Sequence, residues 1–290
     1  MQIKAVYKMI KIKQIIGCLA IFATLLLSGC NQKNVITKTA VPNVTGEFNF
    51  SVLKAGQADA IIIKTQSHCV IIDCGEKDDG DEIAEYLSEN NITNIDCLFI
   101  THFDKDHVGG FPKVIESVTA SKIFVPDYEG SNDEYEKYLK SVEENGLNVN
   151  VLTEDTSFIF DDVLFEVSAP QKNSYSESDN DFSLVISVTH GENTFLFTGD
   201  AEAERLREIL TVFGHQYDFL KVPHHGKYNK NTKLFISTIK PTYSVITDSD
   251  KNPADDRTLS ILEGNESMVY STKSGDISVT SDGKEIKIEQ

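Results

Sequence analysis

A ten-residue stretch concentrates ionisable side chains directly behind an apolar run. The stretch THFDKDHVGG, residues 101–110, follows CLFI and contains His102, Asp104, Asp106 and His107 within six positions. Neutral imidazole and carboxylate groups are the usual protein ligands of zinc, and they also suit manganese. The types and spacing of these residues therefore predict a site for divalent metal ions, with Zn2+ as the first expectation and Mn2+ as the second.

Three other apolar runs end in groups of the same kind. Asp73 follows CVII, Asp200 follows FLFTG, and the pair His224 and His225 follows FLKVP. Each group alone has an ordinary explanation: aspartates are common in turns, Asp200 stands where it would cap the next helix, and histidines also occur in cores and on surfaces. In open α/β sheets, however, ligands bind beyond the carboxyl ends of the strands. We therefore expect the four segments to meet at one site.

The predicted donor set is large enough for two ions. Alternate residues of the segment 102–107 point in different directions, so one pair can serve each ion, and Asp200 can bridge the two. Two ions about 3.5–4 Å apart can hold a hydroxide nucleophile and clamp the oxygens of a displaced group. The resulting hypothesis is hydrolysis by a metal-bridging hydroxide.

The N-terminal segment is typical of protein targeting. The basic stretch MQIKAVYKMIKIKQ and the apolar stretch IIGCLAIFATLLL precede LSGC, which ends at Cys30 and resembles a bacterial lipobox. We interpret residues 1–29 as a lipoprotein signal peptide, with a plain signal-anchor helix as the alternative. Residues 30–46 are polar and predict a flexible tether. A lipid on Cys30 would attach the protein to the cytoplasmic membrane at its extracytoplasmic face.

The remainder of the chain is strongly acidic. The full sequence has a net charge of −18, and the predicted signal peptide carries four lysines and no acidic residue. From Cys30 onward the chain therefore has 23 basic and 45 acidic residues, a net charge of −22. This charge repels nucleic acid phosphates at long range and disfavours a nucleic acid partner without excluding one.

Three cysteines lie beyond the predicted targeting segment. Cys69 and Cys74 are five positions apart in one predicted strand, so their side chains point to opposite faces and cannot pair with each other. Cys97 is the third, and no CxxC pattern is present to indicate a zinc site made of thiolates. We expect these cysteines to be buried thiols.

The pattern of elements indicates a layered fold. From Phe48 onward, short β-branched runs occur in groups, and amphipathic helical patterns separate them. This arrangement predicts two sheets covered by helices, in one domain over residues 47–290. Ser131 and Glu134 form a capping box, which predicts that a helix starts behind Ser131. The last three strands, MVYST, ISVTS and EIKIE, are expected at sheet edges.

These segments, taken together, resemble a known superfamily. THFDKDHVGG is similar to the HxHxDH signature of the metallo-β-lactamase fold. The DxG element of that fold is matched by Asp73-Cys74-Gly75, and its later single aspartate is matched by TGD at Asp200. The resemblance covers about residues 47–270.

Within this superfamily, the chain resembles the hydrolase domain of ComEC-type competence proteins. The matching segments are LKAGQADAIII with Gln57 and Asp59, NDFSLVI with Asn180 and Ser183, and LKVPHHG. The chain is also similar to the phosphorylcholine esterase that acts on teichoic acid, which has aspartate as its second ligand too.

The resemblance implies a fold and a role for each site residue. The fold is α/β, a four-layer αββα sandwich. The first metal ion takes His102, Asp104 and Asp200. The second takes Asp106, His107, Asp200 and His225. The residues assigned to catalysis are His224, which faces the substrate, and Asp106. The residues expected to support the ligands or contact substrate are Asp73, which orients a ligand histidine, Asp59, Asn180 and Ser183.

Two departures from the superfamily pattern affect this assignment. Asp104 stands where most members have histidine, which makes the first site richer in oxygen and makes manganese a rival to zinc. The usual histidine between the first motif and the later aspartate is missing, and SDNDF occupies that region. The first ion would therefore have three protein ligands completed by water.

The sequence thus predicts a membrane-tethered, extracytoplasmic, dinuclear metal-dependent hydrolase. Its expected substrate is an extracellular phosphodiester or a related ester. Three alternatives stay open: a β-lactamase-type amide hydrolase, a DNA-processing nuclease, and a metal-binding surface protein without catalytic activity.

Overall fold

The computed structural model of the protein describes residues 42–176 and 179–290. The predicted signal peptide at 1–29, the lipid site at Cys30 and most of the predicted tether lie outside these residues. No helix within the described ranges is both long enough and apolar enough to span a membrane.

The first sheet has eight strands in the order β15-β14-β1-β2-β3-β4-β5-β6. Its strands are β1 (Phe48–Val52), β2 (Ile61–Lys64), β3 (Cys69–Ile72), β4 (Asn94–Phe99), β5 (Thr119–Pro126), β6 (Val149–Leu152), β14 (Ile277–Ser281) and β15 (Ile286–Glu289). The strands β3 to β6 run parallel, whereas β1, β2, β14 and β15 pair antiparallel.

The second sheet has seven strands in the order β13-β12-β11-β10-β9-β8-β7. Its strands are β7 (Thr156–Phe160), β8 (Val163–Ser168), β9 (Val185–His190), β10 (Asn193–Phe197), β11 (Phe219–Lys221), β12 (Tyr243–Ile246) and β13 (Met268–Ser271). The strands β10 to β13 are parallel, and β7 to β10 form antiparallel pairs.

Seven α-helices of the described residues cover the two sheets. They are α1 (Asp79–Glu89), α2 (Lys105–Val108), α3 (Phe111–Ser117), α4 (Asp133–Glu144), α5 (Ala203–Phe213), α6 (Thr232–Ile239) and α7 (Asp256–Gly264). Short 3-10 helices occupy Asp179–Phe182, Pro223–Gly226 and Thr272–Ser274.

The inner faces of the two sheets form an aromatic core. Residues two apart on a strand share a face, so Phe48 and Phe50 of β1 both point inward. The ring of Phe50 lies 5.6 Å from that of Phe195, 5.3 Å from that of Phe197 and 4.9 Å from that of Phe219. These contacts join the first sheet to β10 and β11, which carry part of the candidate site.

The outer face of each sheet packs on helices. On the first sheet, Ile62 and Leu98 belong to one buried cluster with Leu87 of α1 and Leu139 of α4. On the second sheet, a separate buried cluster joins Leu196, Leu206, Ile209, Phe235 and Leu262. The order of layers is therefore helix, sheet, sheet, helix, and the predicted four-layer αββα sandwich is confirmed.

Three details of the sequence prediction are wrong. The N-cap of α4 is Asn132, whose side chain accepts a hydrogen bond from the Tyr135 N–H, so Ser131 lies outside the cap. Asp200 does not cap α5, because the N-cap position is Glu202. Strand β14 is internal, since it pairs with both β1 and β15; β13 and β15 are at edges, as expected.

Candidate metal centre

The carboxyl ends of four parallel strands bring the chemical segments to one edge of the sandwich. Asp73 follows β3, and the segment 102–107 lies between β4 and α3. In the facing sheet, Asp200 follows β10, and the histidine pair 224–225 follows β11. Parallel neighbours end at the same edge of their sheet, and the packing of the two sheets brings these two edges together.

One group of four side chains is close enough to share an ion. Ligand atoms of Asp106, His107, Asp200 and His225 all lie within 4.8 Å of one another. The Nε2 atom of His107 is 3.2 Å from Oδ1 of Asp200, and the Nε2 atom of His225 is 3.1 Å from Oδ2 of Asp200. These are the four residues that the sequence analysis assigns to the second ion.

The residues assigned to the first ion lie beside this group. The Nε2 atom of His102 is 3.8 Å from Oδ2 of Asp104, and the imidazole rings of His102 and His107 are 4.1 Å apart. His102 is fully buried, whereas the Asp104 side chain is 45% exposed and lines the cleft above. Asp104 therefore approaches from the solvent side, and neither His102 nor Asp104 belongs to the group of four around Asp200.

The polar atoms at the centre fit a metal site. Nε2 of His102, His107 and His225, together with Oδ1 of Asp200, are buried without any hydrogen-bond partner. A buried polar atom without a partner costs about 1–3 kcal/mol, and such atoms are rare in folded proteins. Three of these four residues, His107, Asp200 and His225, belong to the group whose ligand atoms lie within 4.8 Å of one another. This is the pattern that cation ligands produce, and imidazole with carboxylate is a donor set for Zn2+ or Mn2+.

Asp73 orients His107 from behind. Its Oδ2 atom is 2.8 Å from Nδ1 of His107, which leaves Nε2 facing the centre. The backbone N–H of Thr101 donates to Oδ1 of Asp73 at 2.7 Å, and the Thr101 hydroxyl donates to Oδ2 at 2.7 Å. Asp73 is held in a left-handed conformation with φ 60°, which is strained for a residue other than glycine. A carboxylate behind a ligand histidine fixes its tautomer and raises its basicity.

The charges at the centre are tightly coupled. Burial lowers the pKa of His107, but the carboxylates of Asp200 and Asp73 outweigh burial and hold this pKa well above its ordinary value. Burial raises the pKa of Asp200, yet His225 and His107 hold it well below its usual range. Burial and the neighbouring His107 lower the pKa of His102 to about 3, so this imidazole is neutral and its lone pair is available.

The two adjacent histidines share Asp200 as a neighbour and differ in their other partners: Nε2 of His225 lies 3.1 Å and Nε2 of His224 lies 3.7 Å from Oδ2 of Asp200. Both adopt left-handed conformations, with φ 48° for His224 and φ 52° for His225. The Nδ1 atom of His225 is 3.0 Å from the carbonyl oxygen of Thr247, so its Nε2 atom faces Asp106 and Asp200. The strained left-handed turn therefore lets both side chains lie at one site while their rings face different directions, which an ordinary helix or strand would not allow.

His224 sits at the wall of the cleft with its own carboxylate. Its Nδ1 atom is 2.8 Å from Oε1 of Glu202, and its Nε2 atom is 3.0 Å from Nζ of Lys227. Asn180 approaches the same Nε2 atom with its Nδ2 atom at 3.4 Å. The predicted residues His224 and Asn180 therefore meet, and Glu202 is a partner that sequence reasoning did not identify.

A buried lysine lies beneath the donors, and sequence reasoning missed it. Lys221 is fully buried at the end of β11, with Nζ 2.5 Å from Oδ2 of Asp59 and 3.8 Å from Oδ1 of Asp200. The other oxygen of Asp59 accepts from the Thr247 hydroxyl at 2.7 Å, and that hydroxyl lies 2.9 Å from Nδ1 of His225. Burial raises the pKa of Asp59, but Lys221, His107 and His225 together outweigh burial, and the pKa lies below its usual value.

Ser183 supports the chain that carries Asp200. Its hydroxyl donates to the carbonyl oxygen of Asn180 at 2.7 Å and accepts from the Asp200 backbone N–H at 3.1 Å. Next to it, the Asp181 carboxylate accepts from the backbone N–H groups of Glu202 and Arg205 at 2.9 Å and 3.0 Å, and so caps α5. Asp181 is therefore committed to the helix, in the region where the superfamily pattern has a metal-binding histidine.

A polar cleft of about 730 Å³ opens above the centre. Asp104, Asp106, Asp200 and His224 lie at its base. Its walls include Gln57, Asn132, Ser249, Asn252, the acidic residues Glu76, Asp78, Asp79 and Glu134, and the basic residues Lys105, Lys227 and Lys251. The cleft is large enough for a small substrate or one unit of a polymer, and its lining suits a charged one.

This fold and this donor set define a metal-dependent hydrolase of the αββα class. The chain belongs to the metallo-beta-lactamase superfamily, whose family model matches residues 53–246. Among solved structures, the metallo-beta-lactamase fold protein YhfI from Bacillus subtilis aligns with a TM-score of 0.56 at 12% identity, over 81% of this chain and 100% of that one. This likeness shows a shared fold.

Two relatives narrow the relationship within the superfamily. ComE operon protein 3 of Bacillus subtilis (strain 168) is 26% identical over 230 residues, which make up 73% of this chain and 30% of that protein. Recombination protein 2 of Haemophilus influenzae is 26% identical over 206 residues, 69% of this chain and 24% of that protein. The resemblance to ComEC-type competence proteins is confirmed, although the chain spans less than a third of these relatives.

Proposed function

We propose that the protein is a dinuclear, metal-dependent hydrolase that cleaves a phosphodiester or a related ester. The observation that carries the proposal is the set of buried atoms without hydrogen-bond partners, Nε2 of His102, His107 and His225 and Oδ1 of Asp200. These atoms would be costly to maintain in a binding module with no ion. They are the natural donors of a divalent cation site.

The two ions would share Asp200. One would be held by Asp106, His107 and His225 with Asp200, and the other by His102 and Asp104 with Asp200. When bound, such ions acidify water and neutralise the charge on ester oxygens. Zn2+ is favoured by the histidines, and Mn2+ by the carboxylates, among which Asp104 replaces a nitrogen donor.

His224 is proposed to act on the substrate. Glu202 faces its Nδ1 atom at 2.8 Å, which fixes a proton there and directs Nε2 to the cleft. Lys227 lies 3.0 Å from that Nε2 atom and supplies a second positive group at the same wall. When its Nε2 atom is protonated as well, His224 can hold an anionic oxygen of the substrate beside Lys227 and pass that Nε2 proton to the departing oxygen.

Phosphodiester hydrolysis is favoured over amide hydrolysis by the lining of the cleft. Lys227 and Lys251 line one side of it and place positive charge near a substrate that carries negative charge, whereas the other side is acidic and its Lys105 pairs with Glu76 at 2.9 Å. The region of the usual third histidine holds Asp181, which caps α5 instead. A β-lactamase-type amide hydrolase and a metal-binding surface protein without turnover are therefore less well supported.

A DNA-processing nuclease is the second candidate. One observation favours it, the 26% identity to Recombination protein 2 of Haemophilus influenzae over 69% of this chain. The net charge of −22 beyond the predicted signal peptide opposes it, because long-range repulsion lowers affinity for a dense polyanion.

The proposed location is the extracytoplasmic face of the membrane, with a lipid on Cys30. Its support is the sequence alone, namely the basic stretch, the apolar stretch and LSGC ending at Cys30. A substrate outside the cytoplasm follows from this location.

The proposal is tested first by measuring the metal content and then by comparing which substrates are hydrolysed. The full-length protein, stripped of metal and reconstituted separately with Zn2+ and Mn2+, should retain two ions per chain by elemental analysis. It should then hydrolyse bis(p-nitrophenyl) phosphate but not a chromogenic cephalosporin. One ion or none would refute the dinuclear site, and cephalosporin turnover without diester turnover would favour the amide hydrolase.

A further inference from the structure

Lys221 is a buried cation that the proposed chemistry does not use. Its side chain is fully buried, and its ammonium nitrogen lies 2.5 Å from Oδ2 of Asp59, 3.5 Å from the carbonyl oxygen of Gly199 and 3.8 Å from Oδ1 of Asp200. A fully buried group cannot touch a substrate in the cleft, so Lys221 can act only through its neighbours. Well-packed apolar side chains often replace a buried ion pair without loss of stability, so stability alone does not account for this pair.

Asp59, the partner of Lys221, joins two segments of the metal centre through its backbone. Its N–H donates to the carbonyl oxygen of Asp106 at 3.1 Å, and its carbonyl oxygen accepts from the N–H of Gly75 at 2.8 Å. Asp106 is one of the four residues assigned to the second ion, and Gly75 lies two positions after Asp73. Asp59 is therefore tied to segments that follow two strands of the first sheet.

The carboxylate of Asp59 reaches the second sheet through Thr247. The Thr247 hydroxyl donates to Oδ1 of Asp59 at 2.7 Å. A hydroxyl has one proton, so this oxygen is left to accept, and Nδ1 of His225 lies 2.9 Å from it. The carbonyl oxygen of Thr247 lies 3.0 Å from the same nitrogen. Nδ1 of His225 therefore donates to these two acceptors, and its Nε2 atom presents a lone pair to the centre.

The two histidines of the second ion are thus supported in different ways. His107 has a carboxylate directly behind it, since Oδ2 of Asp73 is 2.8 Å from its Nδ1 atom. His225 has the Asp59 carboxylate one residue further away, with Thr247 between them. A carboxylate behind a metal-binding histidine fixes its tautomer and raises its basicity. The centre therefore requires two carboxylates, each directed to its own histidine.

Lys221 holds the oxygen of Asp59 that faces His107. Asp59 lies near both histidines, with Oδ2 3.9 Å from Nδ1 of His107 and Oδ1 3.7 Å from Nδ1 of His225. The ammonium group of Lys221 binds Oδ2, the first of these two oxygens. That oxygen is thereby withdrawn from His107, whose Nδ1 atom is left to Asp73.

We propose that Lys221 is a positioning residue for the second ion. It commits the Asp59 carboxylate to the support of His225 and keeps it away from His107. The inference rests on the proposed function, because it concerns the ligands of a proposed ion. Since Lys221 acts through the residues between it and the histidine, its effect should fall on the affinity for that ion.

The link between Asp59 and His225 can be removed at Thr247 without a change of charge. Thr247→Val, which deletes the hydroxyl, should weaken the affinity for the second Zn2+ ion by about 10- to 100-fold and leave the first within about twofold, because the hydroxyl supports only one ligand histidine. Thr247→Ser, which keeps the hydroxyl, should restore most of that affinity. Stepwise dissociation constants from competition with a chromophoric chelator provide the measurement, and the step that is missing in His225→Ala identifies the second ion.

The ion pair is tested by the double variant Lys221→Met/Asp59→Asn. It removes one positive and one negative charge, so the net charge is unchanged, and the affinity for the second ion should fall as in Thr247→Val. Should it fail to fold, Lys221→Gln/Asp59→Asn replaces the ion pair by two amides and carries the same expectation. The matched control is Ser244→Ala, which removes a buried hydroxyl of β12 that lies 2.7 Å from the hydroxyl of Ser267. This control should keep both affinities.

Several results would overturn the positioning role. They are an unchanged affinity for the second ion in Thr247→Val, a loss that Thr247→Ser does not restore, an equal loss for both ions, and the same loss in Ser244→Ala. Unchanged affinity in the ion-pair variant would overturn the part assigned to Lys221. A wild type that binds no ion would refute both the proposed function and this inference. Two bound ions without diester turnover would refute the proposed function alone, and the affinities would still decide the role of Lys221.

Discussion

His224 and His225 are neighbours in sequence with different surroundings. The Nε2 atom of His225 faces two carboxylates, at 3.1 Å and 3.5 Å, and is buried without a hydrogen-bond partner. His224 is partly exposed at the cleft, and Glu202 and Lys227 contact its two nitrogens. The strained turn that separates them lets one imidazole serve the ions and the other serve the substrate.

Alanine variants should separate these two roles. His225→Ala should lose one metal ion together with activity, because it removes a ligand. His224→Ala should keep both ions and fold normally, yet lose about 10²–10³-fold in turnover, the scale for removing one oxyanion donor or general acid. Elemental analysis and kcat on each variant provide the measurement. Metal loss in the His224 variant with retention in the His225 variant would reverse the assignment, and full activity in both would exclude the segment from the site.

Asp79 provides a pH-dependent contribution to stability. Burial raises the pKa of its carboxyl from 3.8 to about 6, against the favourable hydrogen bond that it accepts from the Glu76 backbone N–H. A carboxyl whose pKa is raised in the folded state stabilises the fold most at pH values below its pKa in the unfolded state. That contribution is lost as pH rises through the folded value.

The variant Asp79→Asn should therefore gain stability over wild type at pH 8 but not at pH 4. We expect about 1 kcal/mol in the metal-free protein, after allowance for solvent screening of a half-buried group. Urea unfolding with chelator at several pH values provides the measurement, and the difference between the two proteins should develop between pH 4 and 6. A constant difference over that range would mean that the asparagine acts through its hydrogen bonds and not through charge.

At the scale of elements, the ends of the strands determine where the site lies, and this location was predictable from the sequence. Each apolar run predicts a buried strand, and the carboxyl ends of parallel strands collect at one edge, so Asp73, His102 and Asp200 were expected to meet. The ranges of the strands and of most helices follow the period of their apolar residues. The capping errors arose because Asn132 competed with Ser131 for one helix, and because α5 is capped from outside its own segment.

In the layer beneath the ligands, Asp59 and Asp73 were expected from the resemblance, but Lys221 and Thr247 were not predictable from sequence. Lys221 belongs to an apolar run, FLKVP, and nothing local shows that its side chain is buried. Its partner Asp59 is 162 positions earlier in the chain, and Thr247, which joins Asp59 to His225, follows β12. Such pairings depend on the packing of two sheets against each other, which periodicity does not encode. The only local sequence signal for the buried lysine would have been the pattern LKxxHH.

The ion pair of Lys221 and Asp59 links β11 to the loop before β2. Its contribution to the free energy of unfolding can be measured with a double-mutant cycle. Removing one partner of a buried ion pair leaves an uncompensated charge and costs about 3–5 kcal/mol. Lys221→Met should therefore destabilise the metal-free protein by that amount. The double variant Lys221→Met/Asp59→Asn should be more stable than Lys221→Met, because no buried charge is then unpaired. Urea unfolding of the two single variants and the double variant gives the coupling energy.

The surface pair Lys137 and Glu134 provides the control for this cycle. These side chains are 3.1 Å apart and partly exposed, so the same removal should cost less than about 1 kcal/mol. Additive losses for Lys221 and Asp59 would show that the two side chains do not stabilise each other. In that case Lys221 would act mainly through Asp200, whose Oδ1 atom is 3.8 Å away.

At the scale of the whole molecule, the sandwich has two functional ends. Metal donors and the cleft occupy the edge where the parallel strands finish, while residues 44–46 are fastened at the opposite edge. The inner aromatic core makes one rigid unit of the two sheets, so the distance between these ends is fixed.

Lipid attachment at Cys30 is the prediction that belongs to this scale. In cells supplied with a labelled fatty-acid analogue, the wild-type protein should incorporate label, and Cys30→Ala should incorporate none, because the thiol that would carry the lipid is gone. Cys69→Ala is the matched control, since that buried thiol has its pKa raised to about 12 by burial and should be unreactive. The Cys30 variant should also leave the membrane fraction while keeping metal content and diester hydrolysis, because the anchor and the cleft lie at opposite ends. Label that persists in Cys30→Ala would refute the lipoprotein interpretation, and membrane retention without label would favour the signal-anchor helix instead.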